Sequence, residues 1–381
     1  MRNNSARLAA VLLSFVSLFG SAACKRTAAA PPREFAYVTN GESGTVSVID
    51  LNELRVVSTL ATGKNPTGIA ANPAKDEIYV VNTDSGTVSV IDADSNRITA
   101  TMTAQHKPFF LSVTPDGKRA YVANSGSNSV SVFELGNRML LATVPVGSEP
   151  GMARVSADGN TVVVSNRGGN SVSLIDAASN RVRATVPVCE APESVAILPD
   201  SSKAFVACGK ASQIASVDLK SATVLALMKV GSTPVDLGMK PDGGEIFVPN
   251  FDAHTLSAIN TSANETSESL LSGNNPARAL VSSDNATLYV ANFGSNSVAI
   301  FDITTRKLLV AVPVGSRPDA LALSSRENFL LVADTHSGDV AVVRLDKRRD
   351  KKVTTPQPRL FTMIPTGARP NQIITKVVGE R

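Results

Sequence analysis

"YVTNGESGTVSVID" at residues 37–50 returns as "YVVNTDSGTVSVID" at residues 79–92. "YVAN" follows at 121–124 and again at 289–292. The interval is 42 residues, and it runs through the chain. Asn40, Asn82, Asn124, Asn166, Cys208, Asn250, Asn292 and Asp334 form one series at that spacing. Pro66, Pro108, Pro150, Pro192, Pro234, Pro276 and Pro318 form a second, closed by Pro370 ten residues late. Self-similarity at a fixed period of this length marks an array of identical supersecondary units.

Each unit reads as four short strands. In the second unit one follows the proline ("PTGIAAN"), then come "IYVVN", "TVSVID" and "RITATMT". Val, Ile, Ala and Thr fill them, and turn residues separate them, with Asp-Gly at 116–117, 158–159 and 242–243. Several strands are apolar on both faces, so the sheets are expected to be covered on both sides. Four-stranded sheets repeated every 42 residues predict an all-β, closed β-propeller. The chain enters mid-blade at Phe35 and ends on a lone proline-led strand, "PNQIITKVV", at 370–378. That strand completes the first blade, and the repeat count is eight. Seven blades would remain if the last repeat, lengthened by "RLDKRRDKKVTTPQPRLF", stood outside the ring.

These motifs resemble the YVTN-repeat propellers of bacterial and archaeal surface and periplasmic proteins. The resemblance covers residues 35–378. It implies a propeller and an envelope setting, but no reaction, because the family is named for its repeat.

The N-terminus reads as an export signal. Arg2 and Arg7 precede "LAAVLLSFVSLFG" at 8–20, too short an apolar run to span a bilayer, and small residues follow. Residues 1–23 are therefore expected to be a signal peptide and 24–34 a tether to a 35–378 propeller. "GSAAC" resembles the bacterial lipobox, which would make Cys24 a lipidated first residue, though Ser21 stands where Leu is usual; ordinary cleavage after Ala23 is the alternative. The expected address is exported: periplasmic, or an outer-membrane-anchored lipoprotein. Lys347, Arg348, Arg349, Lys351 and Lys352 fall in the last repeat's insertion, on the same face as the tether with its Lys25, Arg26 and Arg33. Lipid plus basic residues would make a two-signal membrane anchor. The net charge of +4 and the lack of interleaved basic and aromatic residues exclude nucleic acid as a partner.

Cys208 breaks the Asn series, and Cys189 stands where Gly63, Gly147, Gly231, Gly273, Gly315 and Gly367 lie three residues before a proline. Both fall at the top of one blade, on either side of adjacent antiparallel strands, and a disulfide between them is expected. The asparagines themselves are expected to bond their own following backbone and hold tight turns.

The search for chemistry finds no catalytic set. The three histidines, His106, His254 and His336, lie in different repeats, with no metal-ligand spacing and no Cys-x-x-Cys-His for haem. The series Asp50, Asp92, Glu134, Asp176, Asp218 and Asp302 ends third strands, where Asp starts a turn. No metal and no cofactor are expected. Two function classes follow: a non-enzymatic binding or scaffold protein of the envelope, or a propeller hydrolase or lactonase.

Comparing repeats locates the expected binding face at the top, where the outer-to-inner and second-to-third connections lie. The residue before each proline varies most: Asn65, Lys107, Glu149, Ala191, Thr233, Asn275, Arg317 and Arg369. Arg278, Arg317 and Arg369 are expected to be near neighbours, and Glu149, Glu190, Glu193 and Asp236 make the opposite side acidic. Phe109 and Phe110 replace small or polar residues, and Phe251 and Phe293 tip adjacent loops. With Lys107, these residues suit an envelope protein or an anionic small molecule.

Overall fold

The computed structural model describes residues 33–345 and 357–379. It is an eight-bladed propeller of eight four-stranded antiparallel sheets, with one short 3-10 turn at Arg167–Gly169. Blade one joins Arg33–Asn40, Thr45–Asp50 and Arg55–Ala61 to the last strand of the chain, Pro370–Val378. Ring closure is a full antiparallel pairing, from Arg33 opposite Val378 to Asn40 opposite Pro370. The propeller thus begins at Arg33, two residues before the expected boundary. Arg33 is paired with the exposed Asp94 and stacks on Phe35, so it is drawn out of the expected basic tether. Residues 1–32 and the insertion residues Lys347, Arg348, Arg349, Lys351 and Lys352 lie outside the described residues, as does Cys24.

The burial patterns follow from position in the blade. Second and third strands, such as Glu77–Asn82 and Thr87–Asp92, are buried on both faces. Outer strands, such as Arg97–Thr103, alternate between exposed and half-buried residues. The apolar core is therefore not one mass but a layer between each pair of blades. Tyr79, Val81 and Val88 of blade two, for example, pack on Leu111, Val122 and Phe133 of blade three. A blade alone would expose two apolar faces, so the ring is needed to cover them.

At the top of each blade one backbone bond recurs. The N–H one residue past the second strand donates to the carbonyl of the residue before the inner-strand proline. Thr83 to Asn65, Ser125 to Lys107, Phe251 to Thr233 and Gly41 to Arg369 are examples, at 2.9–3.0 Å. The accepting residue has a left-handed φ of 49–58° in every blade. That conformation costs roughly 1–2 kcal/mol for a residue other than Gly or Asn.

The asparagine series does a different job from the one expected. Instead of bonding its following backbone, Asn40 Nδ2 reaches across to Thr45 Oγ1 and Ser47 Oγ of the third strand, both at 3.0 Å. Asn82, Asn124, Asn166 and Asn250 repeat the pattern at 2.9–3.2 Å. The incoming connection from the previous blade lies directly on this side chain. A Cβ on Gly63, Gly147, Gly231, Gly273, Gly315 or Gly367 would come within 2.6–2.8 Å of the Asn or Asp it covers.

Blade five exchanges this whole arrangement for a covalent one. Cys208 faces Gln213 and precedes Ala215, so the hydroxyl pair is gone. Cys189, in the place of the glycine, is bonded to Cys208, with Cα atoms 5.7 Å apart. Blade eight departs in another way. Asp334 lies directly opposite Asp339, which occupies the hydroxyl position. Asp334 is fully buried, and burial together with the Asp339 charge pushes its carboxyl up to about 8. Asp334 Oδ1 and Asp339 Oδ1 are both buried without another partner, so a protonated Asp334 avoids two like charges side by side, while the Gly315 N–H donates to Asp334 Oδ2 at 3.0 Å.

Two expected outcomes follow from these exceptions. Reduction of Cys189–Cys208 should remove about 3 kcal/mol of stability. The variant Cys189→Gly, Cys208→Asn, Gln213→Thr, Ala215→Ser should melt at the same temperature with and without reductant, and a wild-type melting curve indifferent to full reduction would contradict the role of the bond. For Asp334, the folded protein holds a proton that the unfolded chain releases at ordinary carboxylate pH. Its contribution is therefore complete in acid and lost as pH rises through about 8. Melting temperature should fall between pH 5 and 9, and Asp334→Asn should flatten that fall and stabilise the protein at pH 9; an equal fall in the variant would contradict the assignment.

Candidate functional site

Inner strands line the central channel, and the residues that follow each proline differ from blade to blade. The second and fourth of them are small at Gly68, Ala70, Ser112, Ala196, Ala320 and Ala322, of which Ala196, Ala320 and Ala322 pack in the layers between blades. They are large or charged at Phe110, Met152, Arg154, Asp236 and Arg278. A cavity of about 330 Å³ opens there from the top face, lined by Phe109, Phe110, Met152, Arg154, Glu193, Asp236 and Arg278 among others.

Local irregularity helps to shape this cavity. The inner strand of blade six is reduced to Gly238–Met239, with an isolated bridge from Pro234 to Asn250. The cause is Pro249 in the neighbouring second strand. Its carbonyl faces the inner strand and accepts the Val235 N–H at 3.1 Å, so the N–H it lacks is missing on that side. Asp236 sits in the gap, and its Oδ2 accepts the Ala279 N–H of blade seven at 3.1 Å.

The charges are arranged by depth. Arg278 and Asp319 approach within 3.9 Å. Burial lifts the Asp319 carboxyl above the usual range, opposed by Arg278 and reinforced by Asp236. Arg154 sits deeper. Phe110 covers its guanidinium at 5.3 Å, and Nη2 donates to the weakly accepting Met152 Sδ at 3.6 Å. Its Nε is shielded from solvent and has no acceptor. Desolvation lowers the Arg154 pKa, and Asp236 offsets part of that.

The mouth holds the rest of the expected residues. Arg317 and Arg369 line one cavity of about 720 Å³ with Phe293, Asp319 and His336. Phe251 and Phe293 are in tilted contact at 5.7 Å, and Arg317 lies over Phe293 at 5.4 Å. Arg278 does not line that cavity; it lies further in and is linked to it through Asp319. Phe109 and Phe110 are at the channel cavity, while Lys107 is exposed on blade three away from both cavities. Of the acids expected opposite, Glu149 pairs with Arg167 and Glu190 with Lys210, each at 3.8 Å, and Glu193 and Asp236 face the channel. Among the described residues no group of three His, Cys, Asp or Glu has the geometry to hold a metal ion. The Asp series at third-strand ends accepts nearby turn N–H groups, as Asp92 does from Ser95.

Arg154, Met152 and Asp319 were not singled out by the sequence. Repeat comparison carried a signal for Arg154: Arg is the one charged residue at that place in eight copies.

Comparison with known proteins places this geometry. A chain in the structure of Kuenenia stuttgartiensis hydrazine synthase is 22% identical, with TM-score 0.61, covering 74% of this chain and 95% of that one. The dihydro-heme d1 dehydrogenase NirN, in complex with DHE, is 13% identical with TM-score 0.74, covering 89% and 74%. Apo AztD from Citrobacter koseri is 15% identical with TM-score 0.68, covering 92% and 100%. At these identities the likeness is one of fold. No curated protein matches the sequence. The family model described as lactonase, 7-bladed beta-propeller, matches residues 34–144 and 243–358, more than half of the chain. The chain belongs to this lactonase-type propeller family, with eight blades where the family description counts seven.

Proposed function

We propose that this chain is a non-enzymatic binding propeller of the cell envelope that receives its ligand or protein partner on the top face. The observation that carries the reading is the residue before each proline. Its backbone is held by the same bond in all eight blades, while its side chain is Asn, Lys, Glu, Ala, Thr, Asn, Arg or Arg. A scaffold that fixes the main chain and frees the side chain to differ is suited to display. The side chains displayed near Arg317 and Arg369 are cationic and sit beside Phe293, a pairing that suits recognition. The export signal and Cys24 read from the sequence support the envelope address.

Family membership favours a second reading, a lactonase. Asp319 is the group on which that reading would rest, because burial favours a protonated carboxyl able to donate to a leaving oxygen. The two readings separate cleanly. The purified protein is expected to leave γ- and δ-lactones unhydrolysed above the buffer rate. The triple variant Arg278→Ala, Arg317→Ala, Arg369→Ala is expected to keep its melting temperature within a few degrees and lose what the wild type captures from envelope extract. Lactone turnover that disappears in Asp319→Asn would establish the enzyme instead.

A further inference from the structure

We propose that the channel contains a binding site for a small organic monocarboxylate with an apolar or aromatic body, anchored on Arg154. The inference rests on the binding reading above and assigns it a chemistry at a place distinct from the mouth.

Three observations converge. The first is the state of the arginine. Of the arginines lining the channel cavity, Arg167 has Glu149 at 3.8 Å and Arg278 has Asp319 at 3.9 Å. Arg154 has no carboxylate within ion-pairing distance among the described residues. Its Nε is shielded with no acceptor, and its Nη2 reaches only a thioether. A guanidinium with one edge shielded from water and unpaired gains from an anion that completes it. The second is shape and polarity. The cavity beside it, about 330 Å³, is at the lower end of the range for small-molecule sites, and Phe109, Phe110 and Met152 supply an apolar wall next to the cation. The Arg154 guanidinium lies over the Phe110 ring at 5.3 Å, and its unpaired Nε offers a donor to a carboxylate. The third is charge. Glu193 and Asp236 line the same cavity, and of its cations Arg167 and Arg278 already have carboxylates near, so among the described residues a dianion would meet two acids and one unpaired arginine. A monoanion fits that balance and a phosphate does not.

Met152, Arg154, Glu193 and Asp236 all lie between residues 145 and 242, the stretch that the lactonase model leaves unmatched.

The test uses the full mature protein with acetate, hexanoate and benzoate as carboxylate probes, benzyl alcohol as the neutral counterpart of benzoate, and inorganic phosphate. Thermal shift and calorimetry should detect benzoate or hexanoate, with little response to benzyl alcohol or phosphate. Arg154→Met should fold with an unchanged or higher melting temperature, since it removes an uncompensated charge, and should weaken the carboxylate by about ten- to a hundredfold. Arg317→Ala, at the mouth, should leave carboxylate affinity unchanged. No response to any carboxylate, an equal response to benzyl alcohol, a preference for phosphate, or full carboxylate binding by Arg154→Met would each overturn the proposal. Those results would leave capture by the mouth untouched, so failure of the channel site and failure of the top-face reading are told apart.

Discussion

The hydrogen bond from the residue after each second strand to the carbonyl before each inner-strand proline is the constraint on which the ring depends. It fastens the connection arriving from one blade onto the top of the next. The accepting residue is left-handed in every blade, and in six blades a glycine two residues earlier presses against the buried Asn or Asp, while Gln105 stands there in blade three and Cys189 in blade five. Blades in a propeller bury their faces only against neighbours, so an error in one connection would tilt a blade and open two apolar layers. The disulfide of blade five joins the same two places by a covalent bond. That is why Cys208 departs from the Asn series together with Cys189: the pair replaces a glycine and an asparagine that would otherwise meet.

Much of this was legible because repetition makes each blade a control for the others. The period placed the strands, the lone terminal strand predicted ring closure, and paired exceptions pointed to the cysteines. The role of the asparagines was not legible. Their partners, such as Thr45 and Ser47, sit in the "TVSVID" strand, where alternate hydroxyls resemble a wetted face. In the structure that face is buried, with Ser47 only 1% exposed, because a neighbouring blade covers it. Arg154 was hidden for a similar reason. In "GMARV" it reads as an ordinary strand residue, and only the direction of inner-strand side chains reveals a channel position.

Fold and function separate in this chain as they do in propellers generally. The parts matched by the lactonase description lie on either side of residues 145–242, and those residues supply the disulfide and the deepest part of the channel. That arc carries a covalently fastened connection and a shortened inner strand, and Arg154 within it has no carboxylate partner among the described residues. Rigidity and site are linked there. Pro249 disrupts the ladder that would otherwise hold residues 235–237 in the sheet, and Asp236 in that gap lines the cavity and accepts the Ala279 N–H.

The most direct measurement is a crystal structure of the protein grown with saturating benzoate. The account predicts a carboxylate against the Arg154 guanidinium, with the ring of the ligand on the Phe110 and Met152 wall. A channel holding only water, with Arg154 turned onto Asp236 in a direct ion pair, would contradict it.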